Sequence, residues 1–509
     1  MKNSNILRST AALTLSGILA KTIDFVFRAY YSQRLGSEGL GIFSLVFSVH
    51  AIMLNIATGG LGVAVSKIVS EQYSARLIGD IRKTMRVALF SVFILSVAVI
   101  AITFIFSQQI SVYFLKEPRC RTSIIYLSPS ILFMGISYCI KGYFYASRKV
   151  LWPASSEFLE QAVKITVIKF LLDRMLPLGI EHGCEAVFLG ISISELSSCL
   201  YLSVMYLVDC RNLTGISTQR RVIPAILKVS LPVMTASITS SFLRMQEEVL
   251  TVSALRQSGL TQTAALSQYG SIYGMVIPLI VFPLTLLSSC FTLLVPEISR
   301  ANTMKCNIRL KTLISRIYRF TAFFGFLIAA ILFTFADNLS VLVYQNIEIA
   351  PHLRTICILT PVMFMDTVSC RILNGIGKQG ALLFYSLTDS AIRIGLILLL
   401  IPKYGINALV TIIFVSNIFT AAKTIRKVTK EAKIRFELSG WLLRHLASAA
   451  ITCFVAGCFF TTLSPYSQTI PVLCAILFSA LLYGIAGYSI STNMRGDFSW
   501  LIHRMFFNT

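Results

Sequence analysis

At 509 residues, with 55% hydrophobic and 13% charged side chains and a mean hydropathy of +0.76, the chain falls outside the water-soluble class, where roughly a quarter of residues are charged. Its net charge of +23 would point to nucleic acid in a soluble protein. Here the charge lies mostly between apolar blocks of about 20 residues, the length that crosses a bilayer, so an all-α polytopic membrane protein is expected and nucleic acid is not.

Fourteen blocks are expected, centred near residues 20, 50, 98, 133, 165, 197, 234, 280, 326, 362, 392, 415, 453 and 480. The first carries Lys21, Asp24 and Arg28 and has no small-residue cleavage site, so it reads as a retained helix rather than a signal peptide. The even-numbered connections hold the basic clusters. They are Lys67, Arg76, Arg82, Lys83 and Arg86, then Arg211, Arg220, Arg221 and Lys228. Arg300, Lys305, Arg309, Lys311 and Arg316 follow, and last Lys423, Arg426, Lys427, Lys430, Lys433 and Arg435. The other connections carry singletons, apart from Lys116, Arg119 and Arg121. By the positive-inside rule both termini are expected in the cytoplasm, in a multi-pass protein of the cell membrane.

Several motifs have a bland reading. Gly59-Gly60-Leu61-Gly62 and Gly375-Ile376-Gly377-Lys378 lack the strand–turn–helix setting of a phosphate loop and read as helix ends and close packing. Cys120 and Cys184 fall on predicted external loops and read as two separate thiols. No CxxC is present and the five histidines are dispersed, so no metal site or cofactor is expected. No ATPase, kinase or hydrolase motif is found, and an enzyme is not expected.

Residues Ser128–Lys149 and Thr360–Gly380 read as two copies of one segment. Pro129 matches Pro361, Phe133-Met134 match Phe364-Met365, Cys139 matches Cys370, and downstream Glu160 and Lys164 fall opposite Asp389 and Arg393. The repeat covers six spans, an even number, so both copies insert the same way. The expected organisation is an N-lobe at 1–212 (spans 1–6), a C-lobe at 220–430 (spans 7–12) and an unduplicated helix pair at 440–492 (spans 13–14).

Charges inside the spans are the functional candidates, because each costs about 2.5–3.5 kcal/mol at the bilayer centre on insertion scales. Lys21, Asp24 and Arg28 share one helical face, as do Glu157, Glu160 and Lys164 in the fifth span. The sixth span has Glu195, the seventh Arg244, Glu247 and Glu248, the tenth Asp366 and Arg371, and the eleventh Asp389 and Arg393. Such faces imply a wet central cavity. Glu160–Lys164 and Asp389–Arg393 read as i, i+4 ion pairs that hold each lobe together. Lys21, Arg28 and Arg244 leave positive charge for an anionic headgroup. Asp24, Glu247, Glu248 and Asp389 are candidates for coupling to Na⁺ or H⁺.

Ser230–Leu250 (SLPVMTASITSSFLRMQEEVL), Tyr269–Ala301, Ser16–Val46 and Leu373–Lys378 (LNGIGK) resemble polysaccharide-biosynthesis exporters of the stage V sporulation protein B type. The resemblance covers nearly the whole chain and rests on proline and glycine positions. That family belongs to the multidrug/oligosaccharidyl-lipid/polysaccharide exporter superfamily, which includes the lipid II flippases. The resemblance implies an alternating-access fold of two six-helix lobes that moves an undecaprenyl-linked cell-wall or polysaccharide precursor outward. It also implies that the last two spans guide the lipid tail. Where lipid II flippases carry cavity arginines in the first, second and eighth spans, this chain offers Arg28, Asn55 and a nearby Ser271. The usual seventh-span aspartate is replaced by Glu247-Glu248. The expected function is a flippase for a lipid-linked oligosaccharide or peptidoglycan precursor, acting as a monomer among membrane lipids. A multidrug/cation antiporter and a scaffold for wall-synthesis enzymes are the alternatives.

Overall fold

In a computed structural model of the protein, residues 2–75, 77–211, 222–292, 295–304, 307–434, 444–463 and 469–490 are described, and all regular structure among them is helical. The interval 212–220 between the expected lobes, the basic positions Arg76, Arg220, Arg221, Lys305 and Arg435, and both chain ends lie outside the described residues. So do the margins of the last helix pair at 440–443 and 491–492.

Nine helical stretches among the described residues are long and apolar enough to cross a membrane. Two of them contain two limbs each. Helix α1 (Lys2–Thr58) is kinked at Gly36, and α16 (Gln379–Glu431) is kinked at Gly405, each through a non-helical glycine. Three further helices complete the fourteen expected spans. They are α6 (Leu151–Met175), whose charges lower its mean hydropathy, and the final pair α17 (Arg444–Leu463) and α18 (Thr469–Ile490).

The chain divides into two compact units. The first, Leu15–Gly270, holds most of α1 with α2 (Leu61–Ser74), α3 (Ile78–Gln109), α4 (Cys120–Leu127) and α5 (Ser130–Ala146). It continues through α6, α7 (Ile180–Cys210), α8 (Val222–Gln257) and α9 (Gln262–Tyr269). By contacts, the seventh span therefore groups with the first six. The boundary expected at 212–220 rests on the sequence repeat, whereas the division at 270 follows contacts, and the two need not coincide.

In lipid there is no hydrophobic drive between helices, so close packing of small residues and hydrogen bonds carry association. A Cβ on Gly142 of α5 would stand 2.6 Å from the Gly62 carbonyl oxygen of α2, so these backbones touch. Around that contact Val65, Val69, Met85, Val92, Tyr143 and Phe144 form the buried core toward the basic end of the unit. At that end Arg82 donates to the Cys210 carbonyl at 3.1 Å and Lys149 pairs with Asp209.

The opposite end is closed by charge. Arg119 reaches Glu38 at 2.8 Å, Glu117 at 2.8 Å and Glu181 at 3.7 Å, while Gln262 donates to Glu117 at 2.7 Å. Burial pushes the Glu117 carboxyl up, but the hydrogen bonds from Arg119 and Gln262 and the Arg119 charge outweigh it and hold Glu117 below the ordinary carboxylate range. Cys120 and Cys184 are buried free thiols, and Cys184 Sγ donates to the Gly39 carbonyl at 3.4 Å.

The second unit comprises residues 271–509 with 1–14. Its core joins α10 (Ile277–Thr292), α11 (Val295–Thr303), α12 (Asn307–Thr334) and α15 (Thr360–Ile376) through Leu287, Ile298, Ile314, Tyr318, Phe364 and Ile372. The final pair packs on α12. Phe323 meets the Tyr483 ring at a centroid distance of 4.8 Å, and the Phe335 that follows α12 packs on Ala475.

Candidate functional site

Two chambers open inside the first unit. One, of about 470 Å³, is walled by both limbs of α1 and by α6, α7 and α8. Asp24, Arg28 and Tyr31 come from the first limb, and Ser44, Ser48 and His50 from the second. Glu160 and Lys164 come from α6, Glu195 from α7, and Arg244 and Glu248 from α8. The i, i+4 and i, i+7 spacings read in the sequence explain why one face of each helix delivers these groups together.

Lys164 is the hub of the polar contacts. Its Nζ lies 3.0 Å from Asp24 Oδ1 and 3.8 Å from Glu160 Oε1, and Gln161 donates to the same Asp24 oxygen at 3.4 Å. The Glu160–Lys164 pair is thus not self-contained; Asp24 on the first span is the nearer partner. Arg28 Nε and Glu248 Oε2 are buried without a hydrogen-bond partner, which leaves capacity for a ligand or ion. The wall carries three cations and four carboxyl groups, so the positive balance expected from Lys21, Arg28 and Arg244 is not what lines this space.

The second chamber, of about 820 Å³, lies nearer the basic end, between the end of α1 and α2, α5, α6 and α8. Its walls include Asn55, Lys67, Tyr138, Lys141, Tyr145 and Glu157. Here the second span is broken. Gly59 and Gly60 have φ of 51° and 68°, and α2 restarts at Leu61. A Cβ on Gly60 would sit 2.9 Å from the Val233 side chain, so both backbone conformation and space select glycine there.

Of the headgroup candidates, Arg28 and Arg244 line the first chamber and Asn55 lines the second, where it donates to Ser241 at 2.8 Å. Lys21 is exposed and lines neither chamber. Of the coupling candidates in this unit, Asp24 and Glu248 line the first chamber, while Glu247 is half-buried outside its wall. Asp389 belongs to the second unit. There Arg393 Nε lies 3.1 Å from Asp389 Oδ2, and Ser416 Oγ donates to Asp389 Oδ1 at 2.6 Å while accepting from Arg393 Nε at 2.6 Å. Both Asp389 oxygens are therefore engaged. Nearby, Thr424 donates to Asp366 at 2.7 Å. Among the described residues no group of three metal-ligating side chains occurs.

Sequence reasoning missed Lys141 and His50. Both are ionisable residues inside apolar spans, so the cost argument that selected Arg28 would have found them. His50 is buried and its Nε2 lies 2.8 Å from Ser130 Oγ. Tyr31, Ser44 and Ser48 carried no such signal.

Residues 6–302 match the polysaccharide biosynthesis protein family. The stage V sporulation protein B of Bacillus subtilis (strain 168) is 25% identical over 454 residues, 87% of each chain. Among solved structures, the lipid II flippase MurJ in an inward closed conformation superposes with a TM-score of 0.68 at 15% identity, over 96% of this chain and 100% of that one. An inward-facing multidrug resistance MATE family transporter gives 0.59 at 15% identity, over 83% and 99%. At that identity these likenesses show a shared fold.

Proposed function

The chain belongs to the polysaccharide biosynthesis protein family, and from that premise we propose that it is a flippase moving a prenyl-diphosphate-linked cell-wall or polysaccharide precursor outward by alternating access. The observation that carries this reading is the first chamber: three cations and four carboxyl groups from four helices around about 470 Å³. Each such group is costly in a membrane and has no purpose on a lipid-facing wall. The likeness to the lipid II flippase MurJ supports a lipid-linked substrate, and the basic end of the first unit supports a cytoplasmic placement of the termini.

Coupling to Na⁺ or H⁺ would draw on the unpartnered Glu248 oxygen and on Asp24 or Glu195 rather than on Asp389, whose oxygens are already taken. The excess of carboxyl groups also favours a second reading, a cation-coupled antiporter of cationic drugs.

Reconstitution separates the two. In vesicles loaded with a lipid-linked glycan, wild-type protein should expose the glycan to an added glycosyl hydrolase faster than protein-free vesicles, and Arg28→Ala should lower that rate. Exposure equal to the protein-free control, with cation-driven ethidium efflux, would favour the antiporter.

A further inference from the structure

The charges of the first chamber fall into two sets. Asp24, Glu160 and Lys164 satisfy one another through the contacts of 3.0 Å and 3.8 Å that Lys164 makes. The other four, Arg28, Arg244, Glu195 and Glu248, make no ion pair with a described residue. Glu195 is only 9% exposed and has no hydrogen-bond partner among the described residues, and Lys141 and Lys164 act on it only at longer range. Tyr269 and Ser48 approach the Glu248 carboxyl, yet its Oε2 stays buried without a partner, as does Arg28 Nε. Two cations and two carboxyl groups thus stand unmatched around one space.

Helix geometry offered a way to cancel part of this charge. Arg244 and Glu248 are four residues apart on α8, the spacing at which a guanidinium and a carboxylate can meet, and they do not join. Unpaired charge inside a membrane protein is costly, and a ligand of complementary charge offsets that cost. A purely anionic ligand would leave Glu195 and Glu248 unmatched and repelling it. A purely cationic one would do the same with Arg28 and Arg244. A group that carries both signs satisfies both sets. Its cation also meets aromatic faces, because Tyr31, Phe43 and Phe47 lie on the same wall and the last two stack at 5.4 Å. The volume of about 470 Å³ is within the usual range for a small-molecule site, about 300–1,000 Å³.

We propose that the first chamber recognises a zwitterionic part of the cargo, a primary ammonium received by Glu195 and Glu248 beside an anionic group received by Arg28 and Arg244. The charge pattern stands on the chamber itself; that the zwitterion is carried by a lipid-linked glycan rests on the flippase reading. The cargo is then a precursor that bears an amino acid or short peptide rather than a neutral glycan. Its ammonium takes the Glu248 oxygen otherwise open to a coupling cation, so the two compete.

The test uses full-length protein in lipid nanodiscs with native mass spectrometry as the readout. The probes are an undecaprenyl-diphosphate disaccharide bearing a lysine-containing peptide, the same lipid after acetylation of its peptide amines, and the free dipeptide lysyl-alanine. Acetylation removes the positive charge and keeps the rest of the molecule. It should weaken binding to wild-type protein about tenfold, the loss of one charge-assisted hydrogen bond. Glu195→Gln and Glu248→Gln should each weaken the amine-bearing lipid by a similar factor and leave the acetylated lipid unchanged, a pattern that a folding defect does not give. Glu71→Gln, an exposed change outside the chamber, should bind both lipids as wild type does. A tenfold preference for the amine kept by both glutamine variants would overturn the assignment to these carboxyl groups. Equal binding of the two lipids by wild type would overturn the zwitterion and leave the flippase reading standing. Glu195-dependent binding of lysyl-alanine, with neither lipid bound, would support the charge pattern and overturn the lipid-linked cargo. Absence of binding by all three probes would overturn both.

Discussion

Lys164 shows how a single contact changes the expected behaviour of a residue. Read from spacing alone, Glu160 and Lys164 form a pair whose members could be exchanged. The structure puts Asp24 closer to Lys164 than Glu160 is, at 3.0 Å against 3.8 Å. Exchange as Glu160→Lys with Lys164→Glu would set a carboxylate beside Asp24 and leave that acid repelled instead of paired. Because Asp24 is 53% exposed, the exchanged protein should be less stable than wild type by only about 1 kcal/mol, read as a lower melting temperature in a detergent thermal unfolding assay. Adding Asp24→Asn should recover part of it. Asp389→Arg with Arg393→Asp should be tolerated better, because the Ser416 hydroxyl can both donate and accept and so serves either arrangement. Equal loss from the two exchanges would contradict the role given to Asp24.

At the level of elements, two breaks and one closure organise the first unit. The Gly59–Gly60 interruption lets the second span stop and restart, and Gly60→Ala meets two penalties together. A left-handed φ costs about 1–2 kcal/mol for a residue with a Cβ, and forcing a methyl against Val233 costs about 1–3 kcal/mol more. Gly60→Ala should lower the melting temperature more than Gly17→Ala, where the added Cβ meets nothing within 4 Å. The charged closure around Arg119 should respond to pH. Glu117 has a folded pKa below its unfolded value, so its contribution is complete above the ordinary carboxylate range and is lost as pH falls through the lowered value. Arg119→Gln should remove about 3 kcal/mol at neutral pH, because it leaves a buried carboxylate with fewer partners, and should flatten the acid limb of the stability profile. An unchanged acid limb would sink this account.

For the whole molecule, the repeat and the positive-inside pattern predict that reporter fusions truncated after Lys228 and after Lys433 both report a cytoplasmic location. An external report from either would break the six-span periodicity. The last two helices make a separate prediction. They rest on α12 through Phe323, Phe335, Tyr483 and Ala475, whereas the main core of the second unit, around Ile314, Tyr318 and Phe364, does not include them. Truncation near Gly440 should leave a protein that inserts and melts cooperatively, since lipid tails can cover the bared aromatic face. Transport of a long prenyl chain should fall if the pair guides the tail, and undiminished transport at matched abundance would remove that role.

Composition, block length and loop charge determined the class and the fourteen spans, because the bilayer imposes length and polarity on each segment independently of its neighbours. The helical period likewise placed Asp24 with Arg28 and Glu160 with Lys164 on shared faces. The sequence could not decide which face meets which. That Lys164 turns to Asp24, that Arg28 and Glu248 keep unpartnered atoms while both Asp389 oxygens are engaged, and that Lys67 and Lys141 share one chamber all depend on helix rotation and depth. Those are set by packing contacts such as Gly62 on Gly142 and Gly60 on Val233, between residues far apart in the chain.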